Sequence, residues 1–380
     1  MENARVNAKP VQLDVYLTRI PMRSFEHAAA SRDVAEALVV RLQLDDGRVG
    51  YGETLPRKYV TGETLETVQR DISGVYWPAL VSARIDSPDV LGLLPFHDET
   101  GRCMNAARCA VELAVLDAAG RSLLDAGSDR TPAARCTGVL GSANPAKTLR
   151  RLRLMRLFGL RHFKLKLGLG EDVDRENLRL ANKHLAKAIK RGACTLRVDV
   201  NGGWDADSTP QRVDQLAAMG VSLVEQPVFC AAGELADLAR KCVLPLIADE
   251  SLLGDNDAAA LAAAPDRIVF NIRISKNGGL VAAQKLARFC GDRSMRFILG
   301  CMVGETGILS LAQRQLLRMI PQPAFVEGNY GRWLLADDLV RNSPRFGYGG
   351  RIGKADPDGW GRRVLESKLE EYGVKTVTLA

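Results

Sequence analysis

The sequence predicts an α/β protein in which a smaller α+β domain precedes a closed parallel barrel. Three observations carry that reading. From about residue 135, eight short apolar runs alternate with helix-like stretches, roughly 22–30 residues from strand to strand, the length of one βα unit. Before them, residues 11–60 alternate apolar and polar positions around a D-G turn at Asp46–Gly47, the pattern of half-buried strands joined as hairpins. No G-x-G-x-x-G follows a first strand, so an open doubly wound sheet ranks well behind.

The apolar runs are, in order, "CTGVLG", "HFKLKLG", "TLRVDVN", "VSLVEQP", "PLIADES", "RIVFNIR", "RFILGCM" and "PAFVEG". Helix-like sequence follows each of the first seven. Residues 64–130 read as helical, with a 3.6-residue apolar stripe through "NAARCAVELAVLDAAGRSLL" (105–124). The domains then run 1–134 for the α+β part, 135–330 for the barrel, and 331–380 for a Gly- and Asp-rich segment ending "VKTVTLA" that folds back onto the N-terminal domain. That segment has no G-K-[ST], which argues against a phosphate loop.

Composition narrows the function classes. At 380 residues, 46% hydrophobic and 26% charged, the chain can bury an ample core. No apolar run approaches the ~20 residues of a membrane span, and "MENARVNAKPVQLDVYL" has no apolar segment of a signal peptide. The net charge of +7 is spread out except in "KTLRRLRLMRLFGLRHFKLK" (147–166). That run reads as an amphipathic helix, with Leu149, Leu152 and Leu157 inward and the arginines solvated, rather than as a nucleic-acid patch. Eight cysteines without a C-x-x-C pair predict reduced, mostly buried thiols in a cytoplasmic protein and no structural zinc.

In a parallel barrel, groups at the C-terminal strand ends converge on one mouth. The second strand offers Lys164 and Lys166, which share a face because side chains at i and i+2 leave a strand together. The third offers Asp199 and Asn201, the fourth Glu225, the fifth Asp249 and Glu250, the sixth Lys276 and the seventh Glu305. Three carboxylates in one mouth repel and call for a cation, and all-oxygen ligation favours magnesium over zinc. The alternative is that they simply pair with the lysines. Lys164 and Lys166 are expected to weaken each other's hold on a proton, as a base at neutral pH requires. Lys276 comes from across the barrel, which would place one lysine on each face of a substrate. That geometry suits removal of a proton next to a carboxylate, with the cation stabilising the enediolate.

With K-x-K at 164–166, "DVN", "VEQP", "ADES" and K-x-G-G at 276–279 in this order, the chain resembles the enolase superfamily in its muconate-lactonizing subgroup. That subgroup includes muconate cycloisomerases, o-succinylbenzoate synthases, N-acylamino acid racemases and dipeptide epimerases. The resemblance covers nearly the whole chain and implies a modified (β/α)7β barrel under an α+β capping domain completed by the C-terminal tail. It implies Asp199, Glu225 and Asp249 as ligands of Mg2+, with Mn2+ a substitute, and Lys166 and Lys276 as the acid–base pair. Lys164 would contact the substrate carboxylate, and Asn201 and Glu250 would orient ligands and lysines. It also implies a homo-oligomer.

Two places depart from the family's pattern. The subgroup's C-M-x-E-S is here "CMVGET", with one extra residue before Glu305. The Asp-x-Asp that Ala-Glu epimerases carry after the last strand is replaced by "FVEGNYG", where Glu327 could serve. The resemblance assigns specificity to two capping-domain loops, here near 19–28 and 52–64, with Arg23, His27, Arg57 and Tyr59 as polar candidates; an Arg there could hold a second substrate carboxylate.

The leading expectation is a racemase or epimerase of an amino-acid derivative or dipeptide. A muconate-type cycloisomerase or an o-succinylbenzoate synthase-like lyase is the alternative, and a non-catalytic barrel a remote one. None of His27, His97, His162 and His184 follows the seventh strand, against an acid-sugar dehydratase. The expected partner is a small carboxylate, with neither nucleic acid nor membrane.

Overall fold

A computed structural model describes residues 8–27, 30–120, 133–355, 359–360 and 363–380. The N-terminal strands are β1 (Pro10–His27), β2 (Ala30–Leu44) and β3 (Val49–Thr54). The final strand, β12 (Gly373–Leu379), adds to the outer side of β1, giving an antiparallel sheet in the order β12-β1-β2-β3. Gly47 turns the β2–β3 connection at φ +86°, a conformation that favours glycine.

The helix Asn105–Ala119 packs on this sheet. Its face is rich in alanine, and β3 meets it through Gly50 and Gly52. A Cβ at Gly52 would run into the Ala110 carbonyl, so the two backbones touch only because the side chain is absent. Helical structure within the span expected as 64–130 is narrower than the sequence suggests. After the turns of residues 65–80, "DSPDVLGLLPFHDETGRC" forms one 3-10 segment (Pro88–Leu93) and irregular chain, because its prolines and glycines interrupt an α-helix. Residues 121–132 lie outside the described residues.

The barrel strands are β4 (Gly138–Leu140), β5 (His162–Lys166), β6 (Thr195–Asp199), β7 (Val221–Glu225), β8 (Leu246–Ala248), β9 (Ile268–Ile272), β10 (Arg296–Leu299) and β11 (Phe325–Val326). Each falls within one of the eight predicted runs. All are parallel and neighbours in sequence order. A parallel bridge between Cys136 and Val326, with Thr137 N donating to Val326 O at 2.8 Å, joins the first strand to the last. The fold is thus an α/β barrel of the (β/α)7β type beneath a small α+β cap that the C-terminal strand completes.

The basic helix Pro145–Leu157 corrects one expectation. Leu152 is buried, but Leu157 is 77% exposed, so it does not pack inward.

Candidate active site

The strand ends deliver their groups as the period-two pattern requires. Lys164 and Lys166 pair in register with Arg197 and Asp199 on β6, and Asp199 pairs with Glu225 on β7. The chain then leaves each strand in an uncommon conformation: Asn201 has φ +48° and Gln226 φ +35°. Side chains hold these turns. Asp199 Oδ1 accepts from Asn201 N at 3.1 Å, and Gln226 Oε1 accepts from Asp249 N at 2.9 Å and Ser251 N at 3.2 Å. Left-handed residues fixed in this way gather at functional sites.

The three predicted acids converge. Asp199, Glu225 and Asp249 are each fully buried. Lys164 Nζ stands between Asp199 Oδ2 at 3.4 Å and Glu225 Oε1 at 3.2 Å. The Arg273 guanidinium stands between Glu225 Oε1 at 3.6 Å and Asp249, with which it forms a close ion pair. Asn271 donates to Glu225 Oε1 at 2.9 Å.

Lys166 Nζ lies 2.9 Å from Asp199 Oδ2 and donates to Asn201 Oδ1 at 2.9 Å; Asn201 in turn reaches Glu250 Oε1 at 3.4 Å. Lys276 is fully enclosed and donates to the Asp249 carbonyl at 2.6 Å, to Asp249 Oδ1 at 3.0 Å and to the Asn271 carbonyl at 2.8 Å. In the strand order, β9, which leads to Lys276, stands four places from β5, which carries Lys166. In a closed eight-stranded barrel those strands are opposite.

The charge balance differs from expectation at Lys164. Burial presses its proton affinity down, but the carboxylates of Glu225, Glu327 and Asp199 outweigh this, and the pKa rises. Its ammonium is therefore held charged rather than weakened by Lys166. Lys276 is shifted down, because burial prevails over the attraction of Asp249. Asp199 is held below the usual carboxylate range: its burial is outweighed by Lys166 and Lys164. Glu225 is pushed up to about 8 by burial and by the Asp199 carboxylate. Glu250 is pushed up to about 7 by burial and Asp249.

The donor set fits a hard divalent cation: three carboxylates, all oxygen, with one of them burdened by its anionic neighbours. Glu250 Oε2 and Asn271 Oδ1 are buried there without a hydrogen-bond partner among the described residues. Among the described residues, no three His, Cys, Asp or Glu side chains are grouped closely enough to hold an ion as they stand. Lys164 and Arg273 lie between the acids.

A cavity of about 560 Å³ opens on this mouth, and Lys164, Lys166, Asn201, Glu250 and Arg273 line it. So do Arg23, Tyr59, Glu305 and Glu327, which gathers most of the predicted substrate contacts. Arg57 is not among them. It is buried and donates to the carbonyls of Pro56 at 2.8 Å and Glu36 at 3.1 Å, a structural use of its fork. The side chain of His27 lies outside the described residues. Despite the extra residue before it, Glu305 reaches the cavity; its carboxylate accepts from Met302 N at 2.6 Å and is pushed up to about 8 by burial and nearby Glu53.

Sequence reasoning missed Arg197, Arg273 and Asn271. Glu327 Oε2 lies 2.6 Å from Lys164 Nζ, and its Oε1 accepts from Arg197 at 2.9 Å. A signal was present: Arg197 precedes Asp199 by two residues, and Asn271 precedes Arg273 by two, the same spacing as K-x-K.

Fold and strand ends together define a capped parallel-barrel protein in which Lys166, which lines the cavity, and Lys276, which is enclosed and does not line it, reach one acidic cluster from opposite strands. Residues 147–367 match the family model described as enolase C-terminal domain-like. The chain is 30% identical over 315 residues to a muconate cycloisomerase of Acinetobacter lwoffii, covering 80% of each chain. It is 29% identical over 375 residues to an L-Lys-D/L-Arg epimerase of Methylococcus capsulatus, covering 90% of this chain and 98% of that protein. The solved structure of an N-succinyl Arg/Lys racemase from Bacillus cereus superimposes with a TM-score of 0.85 at 23% identity, over 98% of this chain and all of that one. The chain belongs to the enolase superfamily, in its muconate-lactonizing subgroup, and is an isomerase. No helix among the described residues is long and apolar enough to cross a membrane.

Proposed function

We propose that the protein abstracts the α-proton of a small carboxylate substrate with the help of Mg2+, for which Mn2+ can substitute, and that it is a racemase or epimerase of an amino-acid derivative or dipeptide. The observation that carries this is the placement of Lys166 and Lys276 from opposite strands on one carboxylate cluster. A substrate carbon between them presents one face to each lysine, so a proton removed on one side can be returned on the other.

Asp199, Glu225 and Asp249 would hold the cation. When bound, it would supply positive charge against the oxygens that become the enediolate. Asn201 fixes Lys166 by its 2.9 Å hydrogen bond, and Glu250 fixes Asn201. Lys164, tied to Glu327, sets its ammonium beside the acids.

The reading extends to a cytoplasmic homo-oligomer that binds neither nucleic acid nor membrane. All eight cysteines are free, which supports a reducing compartment. Cycloisomerisation is the second reading, favoured by the 30% identity to a muconate cycloisomerase; it needs proton transfer at only one lysine. To test the proposal, N-acylamino acids, dipeptides and muconates are incubated in D2O with Mg2+ and followed by proton NMR. Loss of the α-proton signal with formation of the other stereoisomer is expected for an amino-acid derivative. Lactone formation from a muconate, with no exchange in any amino-acid derivative, would reject the racemase reading.

A further inference from the structure

The chemistry above does not use the basic run in the helix Pro145–Leu157. Lys147, Arg150, Arg151 and Leu154 are spaced i, i+3, i+4 and i+7, which places them on one face of the helix. All four line the same cavity as Lys164 and Lys166. Arg151 is tied to the barrel by a 3.4 Å hydrogen bond to the Gly141 carbonyl, just beyond β4. The acids that line the cavity, Glu250, Glu305 and Glu327, all follow barrel strands; the helix contributes cations only.

Phe158, Trp333 and Phe346 give the same cavity an aromatic wall. Phe158 packs edge-on against Trp333, with centroids 5.6 Å apart, and against Phe346 at 6.1 Å. The cavity volume of about 560 Å³ falls where drug-sized ligands bind, in the range of roughly 300–1,000 Å³. Leu154 is 57% exposed, so the helix end of the cavity meets solvent. One cavity thus joins the lysine mouth, an aromatic wall and a basic rim.

We propose that the substrate carries a second anionic group, a carboxylate at the far end of an apolar or aromatic arm, and that Lys147, Arg150 and Arg151 select it. This rests on the reading of the mouth as an α-proton-abstracting site. The reacting carboxylate sits at the lysines, the arm lies along Phe158, Trp333 and Phe346, and the terminal carboxylate meets the helix face. Arginine suits such a rim because its fork matches carboxylate geometry.

The test uses the full chain with Mg2+ in D2O and one amino acid carrying either an N-succinyl or an N-pentanoyl arm, the second being a neutral analogue of similar length. In the wild type, kcat/KM for α-deuteration is expected to favour the anionic arm by at least about tenfold, with the difference in KM and shrinking as salt rises. In Arg150→Glu and in Lys147→Glu/Arg150→Glu the preference is expected to fall towards one. Because each variant is its own control, partial loss of folded protein cancels in the ratio. Equal exchange of both arms by the wild type, or an unchanged ratio in both variants, overturns the inference and leaves the proton-abstraction reading standing. No exchange with any member of the N-acylamino acid and dipeptide panel rejects that reading, and this inference with it.

Discussion

The Lys164 ammonium lies 2.6 Å from Glu327 Oε2, while the other oxygen of the same carboxylate accepts from Arg197. Glu327 thus neutralises two buried cations at once, and both partners are almost wholly enclosed. Breaking a buried pair by removing one partner leaves an uncompensated charge, at a cost of about 3–5 kcal/mol. Glu327→Gln should therefore lower unfolding stability by about that amount in denaturant titration. A loss below about 1 kcal/mol would show that the two cations find other partners.

Arg273 occupies the oxygens that a cation would need. Its guanidinium pairs with Asp249 and approaches Glu225. Arg273→Met removes this competitor and leaves the acids in excess. Mn2+ binding, measured by calorimetry on the metal-free protein, should tighten by about tenfold or more, equivalent to ~1.4 kcal/mol. Weaker binding would show instead that Arg273 helps to hold the acids in place.

Glu53 ties the cap to the barrel. Its carboxylate accepts from Thr306 N and Thr306 Oγ1, both at 2.8 Å, and from Leu309 N at 3.0 Å, at the start of the helix Gly307–Met319. Burial pushes this carboxyl up to about 7. Because the folded state then binds the proton more tightly than the unfolded state, its contribution is fully favourable below the ordinary glutamate pKa. It declines as pH rises towards 7. A shift of this size corresponds to a decline on the order of 3 kcal/mol. Glu53→Gln should flatten that limb of the stability profile between about pH 4.5 and 7. An unchanged slope would assign the decline to other groups, such as Glu63, a buried carboxyl that burial likewise pushes up to about 7.

The close approach of β3 to the helix Asn105–Ala119 makes a simpler prediction. Gly52→Ala places a methyl against the Ala110 carbonyl. Overpacking of this kind typically costs about 1–3 kcal/mol. Thermal unfolding should show the loss, and an unchanged Tm would mean that the sheet can move away.

The barrel was legible because each βα unit repeats its own punctuation, and the mouth because groups at the C-terminal strand ends of a parallel barrel converge. Asp199, Glu225 and Asp249 could be read from their position alone. Arg197 and Asn271 were harder: within a strand they look like the polar half of an alternating pattern, and only closure of the barrel turns that half inward. Leu157 failed because a 3.6-residue period identifies a stripe but not where the helix leaves its support. The cavity along Lys147, Arg150 and Arg151 joins the first barrel helix to residues near 333 and 346, a proximity that no local pattern encodes. Arg57 looked like a ligand-binding residue in a loop; the carbonyls of Pro56 and Glu36 that engage it belong to the folded chain.

The most direct test of the central claim is stereospecific α-deuteration by single-lysine variants. An L- and a D-N-acylamino acid that the wild type interconverts are each incubated with Lys166→Ala and Lys276→Ala in D2O with Mg2+. If the lysines serve opposite faces, neither variant racemises, and each retains exchange with only one enantiomer, a different one in the two variants. Exchange of both enantiomers by Lys276→Ala, with racemisation intact, would contradict the two-face account.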